Sequence, residues 1–232
     1  MKKTILLALA LTLFSASALY AHDTWVAREG GDLVVKYGHG DKIDPYKPAY
    51  VKEAKAYDAS GREMAVTIKP QDTRAVLAPA QAPALVTIVY NSGAWVKTPE
   101  GYKNVSKREA KDVLQSMKGE THNKNIWQWS DRFSKPLGGK MELVPLKNPL
   151  SLKVGDTLPF QVIYNGKPLA GATVAAEGVE KDTLKTDLNG KAQIVIKKSG
   201  FNVVKANRKT PTPNDPDADT LSETANIAFE VK

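Results

Sequence analysis

The chain contains three histidines, His22, His39 and His122, and these are the side chains best suited to chemistry. It contains no cysteine, which excludes a thiolate metal site and leaves imidazole, carboxylate, amide and amine groups as ligands. If an export peptidase cuts after Ala21, His22 becomes the first residue and offers both its α-amine and its imidazole. A second imidazole would complete a roughly planar set of nitrogens, a histidine brace, which suits Cu(II) or Ni(II).

His39 is the expected second imidazole. The segment TWVAREGGDLVVKYGH predicts two short strands joined by a turn at Gly30-Gly31. In such a hairpin the start of the first strand lies beside the end of the second, which brings positions 22 and 39 together. Glycines on both sides of His39 would let the backbone turn and aim the ring. The sequence therefore predicts a site for one divalent nickel, cobalt or copper ion per chain, held by His22 and His39.

Three further residues are candidates for this site. Asp23 and Asp41 could orient the imidazoles as outer-shell carboxylates, although either could equally cap a turn. His122 lies in the polar segment GETHNKN, just past a predicted helix, where it is either solvated or completes the site. Four aromatic residues could line a carbohydrate or partner groove, or could belong to the core, which is the commoner place for tryptophans on strands. These are Trp95, Tyr102, Trp127 and Trp129.

The first 21 residues have the features of a signal peptide. Lys2 and Lys3 precede an apolar run at 5–14, and small residues follow it. We therefore expect a periplasmic protein that is not membrane-embedded, because no run approaches the length of about 18 apolar residues that a spanning helix needs. Cleavage after Ala18 is the alternative, and it would leave Leu19 as the first residue. In that case the α-amine could not chelate together with His22.

Composition excludes several other classes of protein. Apolar residues make up 42% of the chain and charged residues 25%, as in ordinary globular proteins. The net charge is +8, but the lysines are spread along the chain and alternate with apolar residues, so a nucleic-acid interface is not expected. There is no phosphate loop, dinucleotide fingerprint or recognisable catalytic nucleophile. We therefore expect a binding protein rather than an enzyme.

Alternating β-branched segments predict an all-β protein of two β-sandwich units. The first unit is expected over 22–140, and an immunoglobulin- or prealbumin-like second unit over 141–232.

Ser106 and Glu109 form a capping-box pattern before apolar residues at helical spacing, which predicts one amphipathic helix over 106–118. A strand carrying Trp127 and Trp129 is expected to follow and to end at Pro136. Residues 210–220 contain several prolines and aspartates, which predicts an exposed excursion.

The order of several motifs resembles a family of exported bacterial proteins related to periplasmic components of nickel and cobalt uptake, the NikM-like group. The motifs are the signal peptide, AHDTWV, the Gly38-His39 pair, and then ELVPLKNP, VGD, NGKPLAGATV and TDLNGKA. The last two also resemble prealbumin-like and carboxypeptidase-regulatory-like sandwiches, which implies a fold only. The family resemblance implies metal binding at His22 and His39 and a membrane metal transporter as partner.

Three functions follow as expectations. The first is a periplasmic protein that binds nickel, cobalt or copper for uptake or delivery. The second is a metal-free envelope module that binds a protein partner or a glycan. The third is a copper oxidase of the histidine-brace kind that acts on polysaccharide, although no broad substrate surface is evident in the sequence.

Overall fold

The structure is a computed structural model and describes residues 22–40, 42–180 and 182–232. The predicted signal peptide and Asp41 lie outside the described residues. The first ten strands are β1 (Asp23–Glu29), β2 (Asp32–His39), β3 (Lys42–Ile43), β4 (Val51–Tyr57), β5 (Glu63–Met64), β6 (Val66–Gln71), β7 (Arg74–Pro79), β8 (Leu85–Thr98), β9 (Gly101–Lys103) and β10 (Gln115–Ile126).

Seven further strands follow. They are β11 (Met141–Pro145), β12 (Thr157–Tyr164), β13 (Lys167–Pro168), β14 (Thr173–Ala175), β15 (Lys191–Val195), β16 (Gly200–Pro211) and β17 (Thr220–Val231). The helical segments of the described chain are short 3-10 turns at Pro48–Tyr50, Asp131–Ser134 and Pro149–Ser151. The predicted all-β fold class is confirmed. No helix in the described ranges is long and apolar enough to cross a membrane.

The strands form three sheets. Sheet A has the order β1-β2-β7-β6, with β3 paired to β2. Sheet B has the order β14-β16-β17-β10-β8-β4-β5, with β9 paired to β8, and sheet C consists of β11, β12, β13 and β15. The parallel pairing of β10 with β17 joins the early strands of sheet B to its late strands. The sheet therefore contains strands from both sides of the predicted boundary at residue 140, and the division into two units stays a prediction.

Sheet B forms the middle layer, as the alternation of side chains along β8 shows. Val86 and Ile88 belong to a hydrophobic cluster shared with sheet A, which includes Val26, Val35 and Leu77. Leu85 points the other way, into a cluster shared with sheet C. Successive side chains of a strand point to opposite faces, so sheets A and C cover opposite faces of sheet B.

Buried amide side chains attach β1 to sheet B. The Asn125 Oδ1 atom accepts a hydrogen bond from the Val26 backbone N–H at 2.7 Å, and the Asn226 Nδ2 atom donates to the Thr24 carbonyl at 3.2 Å. Asn123 lies between the two amides and bonds to both. Because β1 is the edge strand of sheet A, these amides satisfy backbone groups that an edge strand would otherwise leave unpaired. They also fix the position of the residues just before β1.

The predicted helix over 106–118 is wrong. Its capping-box residues form only a turn, in which the Ser106 N–H donates to Glu109 Oε2 at 3.2 Å and Ser106 Oγ donates to Asp217 Oδ1 at 2.9 Å. From Gln115 onward the chain is β10, which pairs with β8 on one side and β17 on the other. Leu114, expected on the apolar face of the helix, is 63% exposed. Long-range strand pairing therefore overrides the local helical spacing.

The strand predicted to carry Trp127 and Trp129 and to end at Pro136 is also wrong. β10 ends at Ile126, and a 3-10 turn at Asp131–Ser134 follows. The two tryptophans diverge, because Trp127 packs against the cluster shared by sheets A and B whereas Trp129 packs against the cluster shared by sheets B and C. The excursion expected over 210–220 is confirmed for the residues between β16 and β17, although the strands extend into both of its ends.

Candidate metal site

The first hairpin brings His22 and His39 together. β1 and β2 pair antiparallel with Asp23 opposite Gly38, so the residues just before and just after this pair are neighbours. The ring centroids of His22 and His39 lie 4.6 Å apart, and the rings are tilted by 32°. The predicted hairpin and the predicted proximity of the two imidazoles are therefore confirmed.

Tyrosine rings form the inner side of the site. Tyr37 stacks on His22 with centroids 4.5 Å apart and an interplanar angle of 13°, and it stacks on Tyr90 at 5.2 Å on its other side. The Tyr46 hydroxyl donates to the Val35 carbonyl at 2.9 Å, which holds this layer against β2. Burial raises the pKa of the Tyr37 hydroxyl to about 12, so Tyr37 presents a neutral phenol near neutral pH. The His22 side chain is 37% exposed and remains open to solvent.

Asp44 places a carboxylate at the site, and the sequence did not predict it. Its Oδ2 atom lies 2.9 Å from His22 Nε2. The chain turns back after β2, β3 pairs with the end of β2, and the Asp44 N–H donates to the Tyr37 carbonyl at 2.8 Å. The signal in the sequence was the glycine pair around His39, which allows this return, but the pairing of β3 was not predicted.

Gly38 makes the return of the chain possible. It has a φ of +157°, and a Cβ atom at this position would lie 2.1 Å from the Lys42 carbonyl oxygen. Every residue other than glycine carries that atom, so any substitution would push β3 away from β2. Gly38 therefore controls the distance between Asp44 and the two histidines. From the sequence, this glycine was expected to let the backbone direct the His39 ring. In the structure it also allows β3 to bring Asp44 next to His22.

The bond to Asp44 determines which imidazole nitrogen of His22 can bind an ion. A carboxylate partner keeps the proton on Nε2, which leaves the lone pair of Nδ1 available. Within the described residues no group of three or more histidine, aspartate or glutamate side chains is arranged to hold a metal ion. In a chain that starts at His22, the α-amine would be a further nitrogen donor next to this imidazole.

Asp23, one of the two aspartates predicted as outer-shell groups, forms an ion pair with a lysine of sheet B. The Asp23 Oδ1 atom pairs with Lys205 Nζ of β16 at 2.5 Å, and this ion pair ties the start of β1 to sheet B. Asp41 lies outside the described residues. The outer-shell position expected for one of them is taken by Asp44.

His122 is neither in a loop nor solvated, so that prediction is wrong. It lies within β10, where it pairs across the sheet with Val89, and it is 8% exposed. Its Nε2 atom contacts Glu120 Oε1 at 3.0 Å, and Lys140 Nζ contacts the same oxygen at 2.9 Å. Because Asn123 and Asn125 face sheet A, the alternation of the strand places His122 on the opposite face of sheet B from His22.

The charged network around His122 is well balanced. His122 and Lys140 hold the pKa of the Glu120 carboxyl down to about 2, in that order of strength. Lys140 also contacts Glu223 Oε1 at 2.7 Å, and Arg208 contacts the other oxygen of Glu223 at 3.1 Å. The Glu223 side chain is fully buried, so this alternation of charges compensates a carboxylate that solvent cannot reach.

The three tryptophans lie in separate surroundings and do not line one groove. Trp95 donates from Nε1 to Ser92 Oγ at 2.9 Å. The Arg28 guanidinium lies 4.9 Å from the ring centre of Trp127, and Trp129 donates to Asp131 at 3.1 Å. Trp127 and Trp129 are partly buried against the two hydrophobic clusters, in agreement with the core interpretation.

Comparison with known proteins gives a family but no described activity. No curated protein and no solved structure matches the chain. One family model matches residues 18–210, a range that includes His22, His39, Asp44 and His122. The match covers most of the chain, which therefore belongs to the family described as Domain of unknown function (DUF4198).

Proposed function

We propose that this protein is exported to the periplasm and there binds one divalent transition-metal ion through His22 and His39. The ion would be held for uptake or delivery, with a membrane metal transporter as partner. The observation that carries the proposal is the distance of 4.6 Å between the two imidazole centroids, at a surface that solvent can reach. Asp44 adds a carboxylate that orients one of the two rings.

The chemistry of His22 supports a chelate. With its Nε2 proton directed to Asp44, the ring offers Nδ1, and Nδ1 and the α-amine of the same residue can close a small chelate ring around an ion. His39 would supply the third nitrogen. Imidazole and amine nitrogens in a roughly planar arrangement suit Cu(II) and Ni(II). Export with cleavage after Ala21 is part of the proposal, because only then is the amine free.

The identity of the ion rests on two opposing arguments. The general affinity order of divalent ions favours copper over nickel and cobalt at equal availability. The resemblance of the motifs around His22 and His39 to nickel and cobalt uptake proteins favours the other two ions. We therefore propose the class of ion, and competition between Cu(II) and Ni(II) on the same protein would rank them.

The proposal is tested by calorimetric titration of Ni(II) and Cu(II) into protein that begins at His22. We expect one ion per chain and an affinity at least about 100-fold weaker in His39→Ala, since loss of one ligand nitrogen breaks the set. His122→Ala is the matched control, because it removes an imidazole on the other face of sheet B. A second control begins at Leu19, so that a peptide bond occupies the amine of His22.

Two outcomes would contradict the proposal. Equal affinities for the starting protein and His39→Ala would exclude the two-histidine site. Equal affinities for the chains that start at His22 and at Leu19 would exclude the chelate. Without metal binding, the remaining interpretation is an envelope module that binds a protein partner or a glycan.

A further inference from the structure

A cavity of about 400 Å³ lies on the face of sheet B opposite the histidine pair. Its floor is formed by Thr87 and Val89 of β8, whose small side chains leave a depression between the neighbouring strands β4 and β10. The segment 137–142 lines another side of it. Cavities of about 300 to 1,000 Å³ with a few convergent polar groups are typical of small-molecule sites.

The strand register arranges the charges around the cavity in two rows. Glu53, Val89 and His122 are directly paired across β4, β8 and β10 and form one row. Lys55, Thr87 and Lys124 form the next row, two residues further along each strand. Residues two apart on a strand point to the same face and are separated by about 7 Å. On β4 the first row therefore ends in the acidic Glu53 and the second row in the basic Lys55, while Lys140 and Glu142 also line the cavity.

Lys124 already has a counter-charge. Its Nζ atom is sealed from solvent and lies 2.6 Å from Glu142 Oε2, in a contact poorly aligned for a hydrogen bond. Backbone N–H groups of the segment 137–139 hold the Glu142 carboxylate from behind. A ligand would therefore meet the lysine row first at Lys55 on the rim, with Lys124 beneath it.

The charged residues on the rim of the cavity can exchange their present partners for a ligand. Lys55 contacts Glu63 at 3.4 Å, and since both side chains are about half exposed, this ion pair contributes little to stability. Glu53 is exposed and lies directly across Val89 from His122. His122 and Lys140 already share the Glu120 carboxylate. An ammonium group of a ligand beside Glu53 and a carboxylate of the same ligand beside Lys55 would thus find partners of opposite charge.

We propose that this cavity binds a dipeptide-sized zwitterion. Its ammonium group would lie at Glu53, beside the His122–Glu120 pair, and its carboxylate at Lys55. Two extended residues span about 7 Å, which matches the spacing of the two rows. The cavity is independent of the histidine pair, because sheet B separates the two.

Calorimetric titration of alanyl-alanine into the exported protein tests this proposal. Its N-acetyl and C-amide derivatives each remove one charge, and we expect each to bind at least about tenfold more weakly, the effect of losing one charge-assisted bond. Glu53→Gln should weaken alanyl-alanine at least fivefold and leave the N-acetyl derivative unchanged. Absence of binding at millimolar alanyl-alanine, or equal affinities for all three ligands, would overturn the proposal.

Filling the cavity provides the matched variant. Thr87→Leu places a larger side chain on the floor and fills part of the cavity without changing a charge. We expect it to abolish alanyl-alanine binding while its circular dichroism spectrum stays native. Val89→Leu serves the same purpose if Thr87→Leu does not fold. Unchanged affinity in a folded floor variant would contradict binding in this cavity. His39→Ala should keep full affinity for alanyl-alanine, so failure of the metal site and failure of this site are distinguishable.

Discussion

Two histidine–carboxylate pairs of nearly equal length lie on opposite faces of the central sheet. His22 Nε2 is 2.9 Å from Asp44, with side-chain exposures of 37% and 27%. His122 Nε2 is 3.0 Å from Glu120, with side-chain exposures of 8% and 18%. His22 has a second imidazole beside it and access to solvent, whereas His122 has a lysine sharing its carboxylate. The neighbours of each pair, rather than the pair itself, therefore determine what it can bind.

The substitution Glu142→Gln should have the largest effect on the stability of the protein. It tests whether charge pairing stabilises the buried face, which is the face of sheet B that carries His122 and Lys124. The substitution keeps the shape of the side chain but leaves the sealed Lys124 ammonium without its counter-charge. Loss of one partner of a buried ion pair typically costs about 3–5 kcal/mol. Urea unfolding would measure the loss, and the double variant with Lys124→Met should recover most of it. Unchanged stability of the single variant would show that the pair is not structurally important.

His39→Ala and His122→Ala test the comparison directly. We expect the first to lower the affinity for Cu(II) or Ni(II) about 100-fold, equivalent to about 2.7 kcal/mol, and the second to change it less than twofold. The reason is that His122 lies on the other face of sheet B. Calorimetric titration of both variants measures this, and similar losses in the two would remove the functional distinction between the faces.

Asn125→Ala tests what holds the exposed site, the pair of His22 and His39, in place. The substitution removes the acceptor for the Val26 N–H, and a buried donor left unsatisfied costs about 1–3 kcal/mol. We expect faster hydrogen exchange at Val26 than in the starting protein, and weaker metal binding because His22 precedes the loosened strand. Unaltered exchange at Val26 would show that the amide cluster does not anchor β1.

The smallest expected effect is on the acid side of the stability curve. The pKa of the Glu120 carboxyl is lowered in the folded protein from 4.5 to about 2, with His122 as the first cause. A carboxyl whose pKa is lower in the folded than in the unfolded protein stabilises the fold at pH values above the unfolded pKa. This contribution is lost as the pH falls from 4.5 to about 2. Urea unfolding at several pH values should therefore show a shallower loss below about pH 4.5 in Glu120→Gln. An unchanged slope would contradict the depressed pKa of the Glu120 carboxyl.

The exposed site was predictable from the sequence because it depends on local structure. A two-glycine turn at Gly30-Gly31 and two alternating strands determine the register that brings His22 to His39. Asp44 was missed because its position depends on the two-residue strand β3, which is too short to show an alternating pattern. The close approach at Gly38 could not be read from spacing alone.

The buried face was not predictable, because it depends on pairing between distant parts of the chain. The polar residues of THNKNI indicate a loop when taken alone, yet they form the centre of sheet B between β8 and β17. Asn123 and Asn125 are tolerated there because they bond to backbone and amide groups about 100 residues away. The helical spacing before them had no counterpart in the fold.

The central claim is that His22 is both the first residue and a metal ligand, and native mass spectrometry of protein recovered from the periplasmic fraction tests both parts together. The account predicts a chain that begins at His22 and carries one nickel, cobalt or copper ion, which is lost in His39→Ala and kept in His122→Ala. A chain that begins at Leu19, or one that begins at His22 and takes up none of these ions when they are supplied, would contradict it.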